Sequence, residues 1–138
     1  AMSNFIDNAG PNAEGARMPQ TFIPDATTPT RQTFLDAWQR ATGTQRIPVP
    51  PAAAQGYDSA LLLAAAIRQA DSLEGDRIRA ALEDLREPVR GVIMTYARPY
   101  SRDQHETLTS PHQIHVGEVR NGQVVFAYEA DRQRAMWP

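Results

Sequence analysis

The stretch AAAQGYDSALLLAAAIRQA, residues 52–70, decides the reading of this chain. From Gln55 to Ala70 only Gln55, Asp58, Ser59, Arg68 and Gln69 are polar, and they cluster toward the two ends. A helix that is apolar on nearly every side must be covered on more than one side. Its many alanines let a sheet or another helix approach closely. The pattern predicts a central helix, with a sheet against one face and neighbouring helices against another. Burying Leu61, Leu62, Leu63 and Ile67 would contribute about 1.5–3 kcal/mol each, if enough chain is present to cover them.

Three helices frame this reading. Upstream, TTPTRQTFLDAWQRATG, residues 27–43, predicts a helix with Thr28 as N-cap and Pro29 in the first helical position. Phe34, Leu35, Trp38 and Ala41 share one face, and Gly43 is placed to close the end. TQRIPVPP, residues 44–51, reads as a Pro-rich loop whose residues before proline are extended. Downstream, SLEGDRIRAALEDL, residues 72–85, predicts a third helix on the spacing of Ile78, Ala81, Leu82 and Leu85. Arg79 and Glu83 are expected to pair on its wet face, and Pro88 to stop it.

The flanks read as strands and loops. SNFIDNAGPNAEG, residues 3–15, predicts a short helical turn with Ser3 as a cap, ended at Gly10-Pro11. ARMPQTFIP, residues 16–24, predicts an edge or crossing strand, because Pro19 and Pro24 lack a backbone donor. GVIMTYA, residues 91–97, reads as a strand, followed by the polar connection PYSRDQHETLTSPH. QIHVGEVRNGQVVFAYEA, residues 113–130, predicts a hairpin about Asn121-Gly122. That turn sets Val119 opposite Val124 and Gly117 opposite Phe126. The tail DRQRAMWP, residues 131–138, is polar apart from Trp137 and carries no clear element.

Composition narrows the function. The 138 residues suit one modest domain. Charged residues are 22% of the chain and the net charge is −2, so there is no electrostatic footprint for nucleic acid. All 14 basic residues are Arg, and there is no Cys for disulfides, thiolate ligands or nucleophiles. The longest apolar run, Ala60 to Ile67, falls far short of the roughly 20 residues a membrane-spanning helix needs. The opening AMSNFIDNAG lacks the basic and long apolar regions of a secretory leader.

No constellation points to catalysis. Neither GxSxG nor SxxK occurs, and Ser59, Ser101 and Ser110 have no activating context. The glycines form no phosphate-cradling loop. His105, His112 and His115, with Asp103 and Glu106, could be read as metal ligands. They lack HxH or HExxH spacing, and surface or loop-anchoring roles suit them better. Gln55, Tyr57 and Asp58 stand at the expected start of the central helix. Capping, with Tyr57 packed on a sheet, is the plainer reading. A helix start facing a ligand cleft is the functional one, because its spare N–H groups suit an anion.

Three segments together resemble a known family. AAAQGYDSALLLAAAIRQADSLEGDRIRAALEDL has a loop, Tyr-Asp, an Ala/Leu-rich helix, a Ser/Gly break and a helix ending in ALEDL. GVIMTYARPYSRDQHETLTSPHQIHVGEVRNGQVV has a Gly-led strand, an Asp/His-bearing turn and strands joined by Asn-Gly. NAGPNAEGARMP gives a loop and strand. Their order resembles the C-terminal part of the type I periplasmic solute-binding proteins that feed ABC importers, the leucine/isoleucine/valine-binding group.

The resemblance implies an α/β fold: the C-terminal portion of a two-lobed receptor, with three main helices, strands and a C-terminal hairpin. It assigns residues 1–20 to the second lobe, 25–95 to the first, 112–130 to the second again, and 131–138 to a tail. It implies ligand contacts at Ala52 and Ala53, in the loop before the central helix, and at Gln55 and Tyr57, at its start. Members that bind amino acids carry an aromatic residue where Ala52 stands, so a bulkier or different ligand, such as an amide or an aromatic acid, is as suitable here.

The resulting expectation is a solute-binding component of an ABC transporter, present as a fragment, with no catalysis, cofactor or metal. Its partners would be a small amino-acid-like molecule and an ABC permease, its parent periplasmic. The apolar helix would lie against strands the chain lacks, and self-association to a dimer would cover it. The alternatives are a cytoplasmic ligand-sensing regulator of the same fold and an oligomerising remnant without a ligand.

Overall fold

The computed structural model describes residues 3–136; the Ser3 side chain, expected as a cap, and Trp137 lie outside what is described. Five α-helices and five short strands follow in order: α1 (Ser3–Ala9), β1 (Arg17–Gln20), α2 (Pro29–Thr42), α3 (Pro50–Ala70), α4 (Gly75–Glu83), β2 (Val89–Arg90), β3 (Thr95–Tyr96), β4 (His115–Arg120), β5 (Gln123–Phe126) and α5 (Glu129–Ala135). They form a helical part, α2 to β3, and a sheet part built from the two ends of the chain.

The sheet part is antiparallel, in the order β1-β4-β5. β1 is an edge strand, as Pro19 within it requires, and Pro19 lies opposite Val116. β4 and β5 pair in the expected register, Val119 with Val124 and Gly117 with Phe126. The turn residues Asn121 and Gly122 have φ of 51° and 71°, as the tight turn demands. α5 packs on this hairpin, and Ile23, Phe126 and Ala135 form its core. In sequence α5 shows only as a polar tail, because only Ala135 and Asp131 of its seven residues are buried.

In the helical part α2 begins and ends as expected. The Thr28 hydroxyl accepts the Arg31 amide at 3.2 Å, and Gly43 closes the helix at φ 74°. Phe34, Leu35 and Trp38 face the core, whereas Ala41 is exposed. α3 starts at Pro50 and not near Gln55. Pro50 and Pro51 fit the first turn because the N–H groups they lack would have no partner there. Ala52 and Ala53 are therefore helical and do not form a loop. α4 carries the expected apolar face but ends at Glu83, ahead of Pro88. Its Arg79 lies 3.6 Å from Asp76, while Glu83 meets His105, so the expected Arg79–Glu83 pair is not made.

Every fourth residue of α3 is buried: Pro50, Ala54, Asp58, Leu62 and Ala66. Ala54 joins a cluster with Phe22, Phe34, Ile47, Val92 and Ile93. Leu62 and Ala66 join a second, with Ala81, Leu85 and Tyr96. Asp58 lies between the two. The opposite stripe, Ala52, Gly56, Ser59, Ala60 and Leu63, is exposed. The helix is thus covered by α4 on one side and by the 91–96 segment on another, and one apolar face stays open.

The strand expected over residues 91–97 is largely absent. Only Val89–Arg90 and Thr95–Tyr96 pair, and residues 91–94 between them turn. Asp58 is the physical reason, because it takes the backbone donors a ladder would have used.

Candidate functional site

Asp58 sits two turns into α3, not at its cap, and is almost fully buried. Its carboxylate accepts from the Val92 amide at 2.7 Å, the Ile93 amide at 3.0 Å and the Tyr96 hydroxyl at 2.8 Å. Three donors satisfy the buried charge. Burial, followed by the Asp58 charge, raises the Tyr96 pKa far above the ordinary phenol value, so this hydroxyl stays a donor. The node fixes the turn that carries Ile93 and Met94.

The four residues assigned from the resemblance divide between two faces. Ala53 and Tyr57 turn inward beside Phe34, with the Tyr57 and Phe34 rings 5.1 Å apart at 65°. Ala52 and Gln55 face outward on the open stripe. The structure brings together Ala53 and Tyr57 but not all four.

A second set of polar groups gathers where the helical and sheet parts meet. Phe22 packs into the helical cluster, and the next residue, Ile23, into the sheet cluster. Arg31, at the start of α2, is fully buried. Its Nη1 donates to the Ile23 carbonyl at 3.2 Å, and its guanidinium lies 4.8 Å from the Phe22 ring centre. Burial lowers the Arg31 pKa to about 10, against the opposing pull of Asp25 and Asp58, so the group remains cationic near neutrality.

His115 opens β4 and is buried, with its ring 5.5 Å from Phe126. Burial first, and then the Arg31 charge, hold its pKa below the ordinary value; Asp131 pulls upward and Arg134 downward. Asp131 of α5 accepts the Val116 amide at 2.6 Å, and Arg132 meets Asp25 at 3.1 Å. A groove of about 1040 Å³ lies along this junction, lined by Ile93, Met94, His112, His115, Arg132 and Arg134, among others.

The sequence reading missed Arg31, although a signal was present: Arg31 stands in register with Phe34, Leu35 and Trp38, a cation heading an apolar stripe. Asp58 likewise falls in step with Ala54, Leu62 and Ala66. Among the described residues no group of three or more His, Asp or Glu could hold a metal, and no helix is long and apolar enough to cross a membrane.

Two solved structures share this arrangement. One is the solute binding protein of an ABC transporter from R. palustris, in complex with benzoate: TM-score 0.65, 20% identity, 88% of this chain and 31% of that one covered. The other is the leucine binding protein LivK of Thermotoga maritima: TM-score 0.59, 19% identity, 91% of this chain and 33% of that one. The mixed α/β fold is therefore a part of the fold of ABC-transporter solute-binding proteins, and the chain spans about a third of the length of these two. At the level of sequence, the periplasmic binding protein family model matches residues 2–123, and the chain belongs to that family. No curated protein matches it.

Proposed function

We propose that this chain is part of the solute-binding component of an ABC importer, acting in the periplasm by binding and without catalysis. The observation that carries this reading is the family match across residues 2–123. The ligand class is amino acids, including the branched-chain ones, and related amides and carboxylates. The leucine and benzoate named for the two similar structures support a small solute with an acid group. Ala52, Ala53, Gln55 and Tyr57 are proposed contacts, with Tyr57 offering the only aromatic ring of the four. Residues 1–20 and 112–130 belong to one lobe and 25–95 to the other, so solute binding between them favours a closed arrangement by differential affinity. The partner that receives the solute is an ABC permease.

Because the chain spans about a third of its solved relatives, most cleft contacts lie outside residues 1–138 and affinity for the isolated chain is weak. Isothermal titration with leucine, an amide and benzoate tests this. Weak saturable binding supports the reading. Sub-micromolar binding overturns the assignment of most contacts to other segments, and no binding to any of them at millimolar concentration removes the solute reading.

The open stripe of α3 supports a second copy of this chain as a cover. Gly56, Ser59 and Ala60 allow close approach about a two-fold axis, and Leu63 adds apolar area. Light scattering at micromolar concentration distinguishes a dimer from a stable monomer, and a monomer rejects this part of the proposal.

A further inference from the structure

Arg31 is a buried cation with unused donors. Nη1 is spent on the Ile23 carbonyl, while Nε and Nη2 have no hydrogen-bond partner and no exposed surface. The nearby carboxylates are engaged elsewhere. Asp25 meets Arg132 at 3.1 Å, and Asp58 holds two amides and the Tyr96 hydroxyl. An unpaired buried cation is costly, so a fold that keeps one has a use for it or a group that neutralises it.

The identity of the unused atoms narrows the partner. Nε and Nη2 form one edge of the planar guanidinium, with two N–H bonds pointing the same way. That edge matches the two oxygens of a carboxylate in a bidentate pair. A second orphan is His115 Nδ1, buried without a partner, and the Arg31 charge acts on His115. His115 also lines the groove at the junction.

We propose that the Nε–Nη2 edge of Arg31 is a carboxylate-binding site at the junction of the helical and sheet parts, and that it takes the acid group of the solute. The inference rests on the solute-binding reading and deepens it, because it names the anchoring group. Arg31 is closed off in this conformation, so a carboxylate enters only when the segment of Phe22 and Ile23, which packs against the guanidinium, moves away from α2.

His115 reports on the site. The charged groups that bear on it are Arg31 of α2 and Asp131 and Arg134 of α5. An anion seated against Arg31 cancels the charge that opposes protonation. Replacing fluoride by acetate at constant ionic strength should therefore raise the His115 midpoint, followed by NMR on the intact chain, by about half a pH unit or more. The exposed His105, outside the groove, serves as the internal reference. Arg31→Lys keeps the charge and removes the two-pronged edge, and it should abolish the acetate response while the chain stays folded.

A His115 curve that is the same in both salts overturns the proposal. So does an acetate response of equal size in Arg31→Lys, or in His105 of the unaltered chain. The two readings fail separately. An acetate response without binding of leucine or benzoate keeps the carboxylate site and removes the receptor role. Leucine or benzoate binding that leaves His115 unmoved does the reverse.

Discussion

Gly91 lies so close to Asp58 that a β-carbon built on it would stand 2.4 Å from the Asp58 Oδ2 atom, and 2.6 Å from the Tyr96 ring. Neither neighbour can retreat, since both belong to the hydrogen-bonded node that ties α3 to the 91–94 turn. Gly91→Ala should cost about 1–3 kcal/mol through overpacking, read as a lower urea midpoint with an unchanged slope. A neutral outcome would mean that the node is loose.

The node itself can be taken apart by a double-mutant cycle. Tyr96→Phe removes one donor and should cost about 0.5–1.5 kcal/mol. Asp58→Asn places an amide opposite backbone donors and should cost more, about 1–3 kcal/mol. The two losses should be less than additive, because both delete the same hydrogen bond. Strict additivity would show that the Tyr96 hydroxyl and Asp58 do not depend on each other.

Acid should unfold the chain in two limbs. The folded-state pKa of His115 lies below the ordinary 6.5, chiefly through burial and then the Arg31 charge. Below 6.5 the unfolded chain takes up a proton that the folded chain refuses, so stability starts to fall there and stops falling once pH passes below the folded-state value. Glu118 is also depressed, below 4.5, by hydrogen bonds from Arg120 and then Arg17, each at 2.7 Å. Its contribution is full above 4.5 and is lost as pH falls toward its folded-state value. His115→Asn should flatten the first limb and Glu118→Gln the second, measured by denaturation midpoints across pH.

On the open stripe of α3, Leu63→Glu should change folding stability by no more than about 0.5 kcal/mol, because the side chain is already half exposed. The same change should shift a dimer toward monomer, since a two-fold contact places the new charge against its own copy. Light scattering on both variants checks it. An unchanged mass would move the interface elsewhere.

What was legible in the sequence was what local chemistry dictates. Thr28, Pro29 and Gly43 marked the ends of α2 because caps and turns are written in short motifs. Asn121-Gly122 set the hairpin register because only a positive-φ pair closes that turn. The rest depends on contacts distant in sequence. Residues 91–97 have strand composition, yet Asp58, more than thirty positions earlier, takes the amides of Val92 and Ile93 and turns the segment. The start of α3 was misplaced because two prolines look like a loop when they are in fact a good first turn. Sequence places Ala52 and Ala53 in a loop and Gln55 and Tyr57 at a helix start, whereas all four are helical and lie on two faces. Arg31 drew no notice, because its burial arises only when the segment of Phe22 and Ile23 folds over it.

The most direct test of the central claim, that this chain is a binding component for small acid-bearing solutes, is a titration of the folded chain with leucine and benzoate, followed residue by residue by NMR. Saturable shifts centred on Tyr57, His115 and the groove residues, with weak affinity, are the predicted result. Folded chain whose spectrum is indifferent to both solutes up to millimolar concentration would contradict it.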